Sequence, residues 1–303
     1  MGRGSAHGKT IWMGEHAVVY GYPALSLPVR SATLHITVDE AVDDYLSSPF
    51  HDGLFSSLPT RLQPVKDLLL GLRTSLELPP LSVTVRTSIP LSAGMGSSAA
   101  FAAALVRACH DHANVPLPDE RLAHWIHESE KGMHGNPSGI DGAQVVSKSP
   151  LLFTKGHDIV LHPISRQGSI MLVSSGIPGH TKDAVIRVAS IHAKDPGPIN
   201  ELGMLSKHFI EGFSSMDGRT VGEHMDRAHA IMRDFGLSFP IIEKLVSEGK
   251  SCGALGAKIT GGGMGGMVMF FFEDKEAMAL FRRRMDDRGF KTTFVIDLER
   301  DFL

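Results

Sequence analysis

The sequence predicts an α+β fold in two domains, and three observations carry that expectation. Short strand-like runs recur in the first part, at Ala24 to Val29, Ser31 to Asp39 and Leu81 to Ile89, the last two alternating apolar and polar residues as half-buried strands do. Composition changes after Ser175, and helical patterns dominate from Thr181 to Lys250. A glycine-dense stretch, Gly261 to Gly266, then runs into the apolar Met267 to Phe272, followed by one more helix and strand. The 303 residues suffice for two domains, and the composition change sets the expected boundary at 168/169.

Composition excludes several classes of function. Hydrophobic residues make up 42% and charged residues 21%, ordinary for a globular chain. The net charge of −3 supplies no basic field for nucleic acid, so a small anion has to be held by local groups. Cys109 lies in an apolar helical run and Cys252 in a Ser-Cys-Gly turn, so neither a disulfide framework nor a zinc site is expected. A reducing compartment, the cytoplasm, fits. Residues 1–7 hold no apolar core of a signal peptide, and Ala6 stands where a myristoylation signal wants Ser or Thr. The most apolar run, Met264 to Phe272, is too short to span a membrane. No nucleic-acid or membrane partner is expected, and monomer and homodimer both stay open.

Taken in order, Gly8 to Val19 reads as a strand, a glycine turn and more strand, opened by Lys9 and interrupted by Gly14-Glu15-His16. Taken singly, Lys9 reads as a solvated strand end and Glu15-His16 as a surface pair; together, between apolar runs, they point to a site. Asp43 to Pro64 is loop-rich, a lid or a surface excursion. A helix over Val65 to Glu77 leads to the Leu81 strand, then to Pro90-Leu91-Ser92-Ala93-Gly94-Met95-Gly96-Ser97-Ser98 and an alanine-rich helix from Ser98 to Ala113. This tight glycine turn delivers the chain to a helix N-terminus, where unpaired N–H groups and the helix dipole favour an anion, phosphate being the usual one. Ser97 and Ser98 add hydroxyls that cap a helix or ligate a cation. The bland alternative is a well-capped helix and nothing more. Gly94 to Ala99 also fits G-x-G-x-x-A, but Asn114 to Asp119 is a proline-broken loop where a dinucleotide fold needs a second strand ending in an acid.

Asp119 to Met133 reads as an amphipathic helix whose His124 and His127 are solvated, with Glu130 near its end. In His134-Gly135-Asn136-Pro137-Ser138-Gly139-Ile140-Asp141, Asn136 is a good N-cap and Pro137 sits at the favoured first position, which puts Asp141 in a first helical turn. There it either complements the helix dipole only, or shares a site with Glu130. Strands follow at Leu151 to Phe153, Ile159 to Pro163 and Ser169 to Ser174, then helices at Thr181 to Ala193, Ile199 to Phe213, Thr220 to Phe235 and Pro240 to Ser247. Lys258-Ile259-Thr260 and Gly261 to Gly266 form a glycine hairpin, since a strand and not a helix follows. Ala277 to Arg288 closes the series as a helix and Lys291 to Ile296 as a strand.

Three glycine-bearing segments in this order, with Pro-Ser-Gly-Ile-Asp between the second and third, resemble the GHMP small-molecule kinases. Gly14 to Gly21 and His134 to Asp141 are similar to the mevalonate-kinase group, whereas galactokinases have Asp-Tyr after Gly-Glu-His and phosphomevalonate kinases replace the histidine by tyrosine. The resemblance implies a ribosomal-protein-S5-like α/β domain over 1–168, carrying the phosphate loop and the catalytic Asp. It implies a ferredoxin-like α+β domain over 169–303, which supplies the closing loop, with the active site in a cleft between the two. The implied reaction is ATP- and Mg²⁺-dependent phosphorylation of the 5-hydroxyl of mevalonate in isoprenoid synthesis. The alternatives are a relative acting on another small alcohol (homoserine, a sugar, phosphomevalonate) or a silent nucleotide or metabolite sensor. In the implied site Asp141 is the base and Lys9 neighbours it and the transferred phosphate. Ser98 and Glu130 hold Mg²⁺. Pro90, Ser92, Ala93, Gly94, Met95, Gly96, Ser97 and Ser98 cradle ATP, Thr260 and Gly261 close over it, and Glu15, His16 and Thr181 face the alcohol. Ser92, Met95 and Met267 replace a usual glycine, leucine and small residue, and Ser174-Ser175 stands where relatives carry Asp-Thr.

Overall fold

The computed structural model describes residues 1–134, 138–290 and 293–302. Its chain divides into two compact units whose segments alternate along the sequence. The first comprises 1–8, 32–89 and 96–147, the second 9–31, 90–95 and 148–303. The architecture is mixed α+β, as the sequence predicts.

Strand β1 (Gly2–Met13) begins far earlier than Gly8. The reason lies in Gly2 and Gly4: a Cβ there would sit 2.3 and 2.0 Å from the carbonyl oxygens of Ala108 and Ala104, so only glycine lets the strand lie so close to the alanine-rich helix. Past the Gly14 turn the chain forms a short 3₁₀ turn, Ala17–Tyr20, in place of the expected second strand. β2 (Ala24–Glu40) is one long strand rather than two. In the first unit its buried Leu34, Ile36 and Val38 alternate with polar residues and pair antiparallel with β5 (Leu81–Thr87). The stretch 43–64 is part of this sheet: β3 (Tyr45–Ser48) runs parallel to β5, and β4 (His51–Leu54) pairs with β3. Asp44 ties it down, accepting from the Leu81 amide at 2.9 Å and from Arg73 at 2.5 Å. Helices α1 (Gln63–Leu76), α2 (Ser97–Ala113), α3 (Asp119–His134) and α4 (Ile140–Gln144) complete the unit. α2 buries Ala99 to Val106 without interruption, the environment its composition predicts.

In the second unit the first residues of β2 pair with β6 (Leu151–Phe153), which pairs with β7 (Val160–Leu161), shorter than the predicted 159–163. Its other sheet is antiparallel. β8 (Ser169–Ser174) precedes α5 (Thr181–Lys194), α6 (Gly197–Gly212), α7 (Gly218–Asp234) and α8 (Pro240–Ser251). Then come β9 (Gly256–Ile259), β10 (Met267–Phe272), α9 (Lys275–Asp287), β11 (Thr293–Asp297) and a short α10 (Leu298–Phe302). The strand order is β11-β8-β10-β9. Every residue of β10 is buried, which is why it reads as a continuous apolar run. Trp12, wholly buried, meets the rings of Phe209 and Phe213 edge-on at 5.5 and 5.0 Å.

Candidate active site

In the first unit, Ser98 stands in the first turn of α2 and donates from Oγ to Oε1 of Glu130 on α3 at 2.7 Å. Glu130 is buried, one turn beyond Ile126 and two beyond Leu122 on the buried face of α3. They lie 32 positions apart in the sequence; the packing of α2 on α3 brings them together. The helix that carries Asp141 starts at Ile140, with left-handed Gly139 as its cap, and Asp141 lies in the first turn. The expected cap and first helical position, Asn136 and Pro137, lie outside the described residues. Gly142 brings α4 against α3, since a Cβ there would be 2.8 Å from Ile126 Cγ2.

The loop that enters α2 has left-handed φ at alternate residues: 53° at Ser92, 76° at Gly94 and 69° at Gly96. Such alternation turns successive N–H groups into one concavity, an anion nest. Ser92, at φ 53°, holds a conformation that a side chain resists. Ala93 and Met95 are buried and root the loop, while Pro90 and Ser97 are half-buried and Ser92 is exposed. Met95 O accepts from the Lys9 amide at 3.0 Å.

Lys9, Glu15 and His16 are no surface residues: they are 3%, 2% and 8% exposed. His16 takes φ 60°, ψ −45°, a strained turn for a residue other than glycine. Its Nε2 donates to the Gly262 carbonyl at 2.9 Å, which fixes the tautomer of the neutral ring. Burial holds this imidazole down to about 4. Glu15 Oε1 accepts from Lys258 Nζ, and Lys258 also donates to the Ile259 carbonyl at 2.8 Å. Burial pushes the Glu15 carboxyl up and the Lys258 ammonium down, while their mutual charge opposes both shifts. Lys258 has no role in the sequence reading. The signal was a lone cation in the strand Gly256-Ala257-Lys258-Ile259, all of it buried.

The Thr260 hydroxyl donates to the Ile11 carbonyl at 2.9 Å, accepts from the Ile11 amide at 3.1 Å and lies 2.8 Å from Thr10 Oγ1. That side chain joins two strands. Beyond it, Gly261, Gly263, Met264, Gly265 and Gly266 all have left-handed φ. The glycines serve backbone approach: a Cβ on Gly261 would be 3.3 Å from Gly94 Cα, and one on Gly266 would be 2.9 Å from the Ala93 carbonyl oxygen. Gly179 N–H donates to Ser92 O at 2.5 Å, and Gly262 packs on Thr181, which is exposed in the first turn of α5. Segments 92–94, 177–181 and 261–266 thus meet. Ser174 Oγ accepts from Gly176 N–H at 3.2 Å, and Ser175 Oγ from Ile177 N–H at 3.3 Å, so the two serines brace their own turn.

Among the described residues there is no cluster of three or more His, Cys, Asp or Glu that could hold a metal, and no helix long and apolar enough to cross a membrane. A single buried carboxylate beside a hydroxyl suits a hard cation that takes its remaining ligands from phosphates and water.

Two family descriptions match the chain: GHMP kinases N terminal domain over 64–148 and GHMP kinases C terminal over 209–291. A mevalonate kinase of Aeropyrum pernix is 31% identical over 90% of this chain and 89% of that protein. A crystal structure of mevalonate kinase from methicillin-resistant Staphylococcus aureus superposes with a TM-score of 0.75 at 26% identity, covering 98% of this chain and 99% of that one. The Streptococcus pneumoniae phosphomevalonate kinase, in complex with phosphomevalonate and AMPPNP, reaches 0.80 at 15% identity over 98% of this chain and 100% of that one, a likeness of fold alone.

Proposed function

The chain belongs to the GHMP kinase family, and we propose that its reaction is ATP-dependent phosphorylation of the 5-hydroxyl of mevalonate, giving 5-phosphomevalonate and ADP. Fold does not choose among the family's alcohols, since the phosphomevalonate kinase shares it. The residues favour mevalonate: His16 stands where phosphomevalonate kinases have tyrosine, inside Gly14-Glu15-His16-Ala17.

The observation that carries the mechanism is the Ser98–Glu130 contact at the N-terminus of α2. We assign the nest from Ser92 to Gly96, with the first N–H groups of α2, to the ATP phosphates. Ser98 and Glu130 would hold Mg²⁺. When bound, the ion neutralises phosphate charge as it develops in the transition state. Asp141 is assigned to the acceptor hydroxyl, which it orients and deprotonates, and Lys9 to the transferred phosphoryl group. Phosphoryl transfer needs positioning and charge neutralisation above all, and these assignments supply both. Gly261 serves through its backbone, since the Thr260 hydroxyl is already engaged. Thr181 and His16 are assigned to the alcohol's side, with the buried Glu15 acting from behind His16. The cytoplasm is the proposed site of action.

An ADP-release assay over mevalonate, phosphomevalonate, homoserine and galactose tests this reading. Mevalonate is expected to give the highest kcat/KM; a preference for any of the others overturns the substrate, and no ADP release with any alcohol overturns the kinase. Glu130→Gln is expected to keep the fold and to lose activity most at limiting Mg²⁺. Equal activity of variant and wild type there would remove Glu130 from the metal site.

A further inference from the structure

Nothing said so far gives Lys258 a part in the reaction, yet it is the cation of β9 and wholly buried. The segment it opens is fastened at every second residue. Lys258 Nζ engages the Glu15 carboxylate, Thr260 Oγ1 engages Thr10 and Ile11, and the Gly262 carbonyl accepts from His16. Glu15 and His16 are adjacent, so the first and third fastenings share one turn, Gly14 to His16. That turn has a left-handed Gly14 and a strained His16, a geometry that persists only where its surroundings impose it. Glu15 Oε2 is buried with no hydrogen-bond partner among the described residues, so Lys258, bonded to Oε1, is the main hold on the carboxylate, with the Glu15 N–H and the Lys9 charge as lesser ones. A charge with half its acceptor capacity unmet is poor design for stability alone, because an apolar pair would fill the same space at less cost. What the pair does supply is a fixed register between the turn and the loop.

We propose that Lys258 is a positioning residue for phosphoryl transfer: through Glu15 it fixes the Gly14–His16 turn and, with it, the Gly261–Gly263 backbone that lies against Gly94 of the phosphate loop. The inference rests on the kinase reading above for its effect on turnover, but not for its effect on the loop.

The test compares Lys258→Met with the double variant Glu15→Gln/Lys258→Met, which removes both charges at similar volume. Two readouts are taken, steady-state kinetics and amide hydrogen exchange over 260–266. That segment is held by Thr260 N–H to Met267 O at 3.2 Å, Met264 N–H to Leu237 O at 2.7 Å and Gly266 N–H to Ile177 O at 2.8 Å. Lys258→Met is expected to speed exchange there by about tenfold or more while β8 stays protected. It is expected to lower kcat by up to about 10²-fold, as loss of reacting geometry does, with the KM for ATP within about threefold of wild type. The double variant is expected to regain the wild-type unfolding temperature and to keep both defects. Unchanged exchange in Lys258→Met, or a double variant that regains kcat along with stability, overturns the proposal. Should Lys258→Met fail to fold, the double variant decides, and a double variant that also fails to fold makes the pair a stability element and overturns the positioning role. A wild-type protein that leaves mevalonate untouched refutes the functional reading instead, and the exchange measurement still decides this one.

Discussion

Asp141 owes its direction to a backbone, since it stands in the first turn of α4 behind a left-handed glycine. If it deprotonates the acceptor, Asp141→Asn removes the base and keeps the shape. The expected loss in kcat is about 10²–10⁴-fold, with nucleotide binding and unfolding temperature near wild type. A carboxylate that only complements the helix dipole gives the reverse, a stability loss of about 0.3–1 kcal/mol with turnover intact. Measuring kcat beside thermal unfolding separates the two. His16 makes a prediction about pH. Its folded value of about 4 lies below the ordinary 6.5, so between those values the unfolded chain binds a proton that the folded ring does not. Its contribution is therefore present above pH 6.5 and lost as pH falls toward 4, by up to about 1.4 kcal/mol per pH unit. Urea unfolding at pH 4.5, 5.5 and 6.5 is expected to show a shallower pH dependence for His16→Asn than for wild type. Equal slopes would mean that the ring is not held neutral.

Among the elements, α7 and β9 give the sharpest case. A Cβ on Gly222 of α7 would lie 2.0 Å from the Leu255 carbonyl oxygen, backbone against backbone with no side chain to yield. Gly222→Ala is expected to cost about 1–3 kcal/mol in urea unfolding, as overpacking does, and unchanged stability would refute that packing. The contrast between legible and illegible elements follows the same physics. Long periodic helices and the β10 run announce themselves, because one face or the whole element is apolar. The start of β1 does not, because Gly2, Gly4 and Ser5 read as loop and become strand only where α2 demands a bare backbone. In the site, the loop at 92–96 was legible because two of its three left-handed residues, Gly94 and Gly96, are glycines that show locally in the sequence. The partner of Glu15 was not: Lys258 lies 243 positions away, and no local pattern encodes a pair at that distance.

At the scale of the whole molecule, the chain passes from one unit to the other five times, after residues 8, 31, 89, 95 and 147. No single cut therefore separates them. The fragment 148–303 lacks Trp12, the ring on which Phe209, Phe213 and Phe271 converge. Expressed alone, it is expected to show no cooperative thermal transition by circular dichroism, whereas a two-chain mixture of 1–147 and 148–303 is expected to regain one. A folded lone fragment would show that the 9–31 and 90–95 segments are dispensable to its core. The protein has two tryptophans, and they fall one to each unit: Trp125 on α3 of the first, set over Gly71 of α1, and Trp12 of the second. The molecule thus carries its own pair of fluorophores. With Trp12→Phe or Trp125→Phe, the emission left behind reports on one unit at a time, so a denaturant titration of the two single-tryptophan proteins tells whether the units melt in concert or in turn.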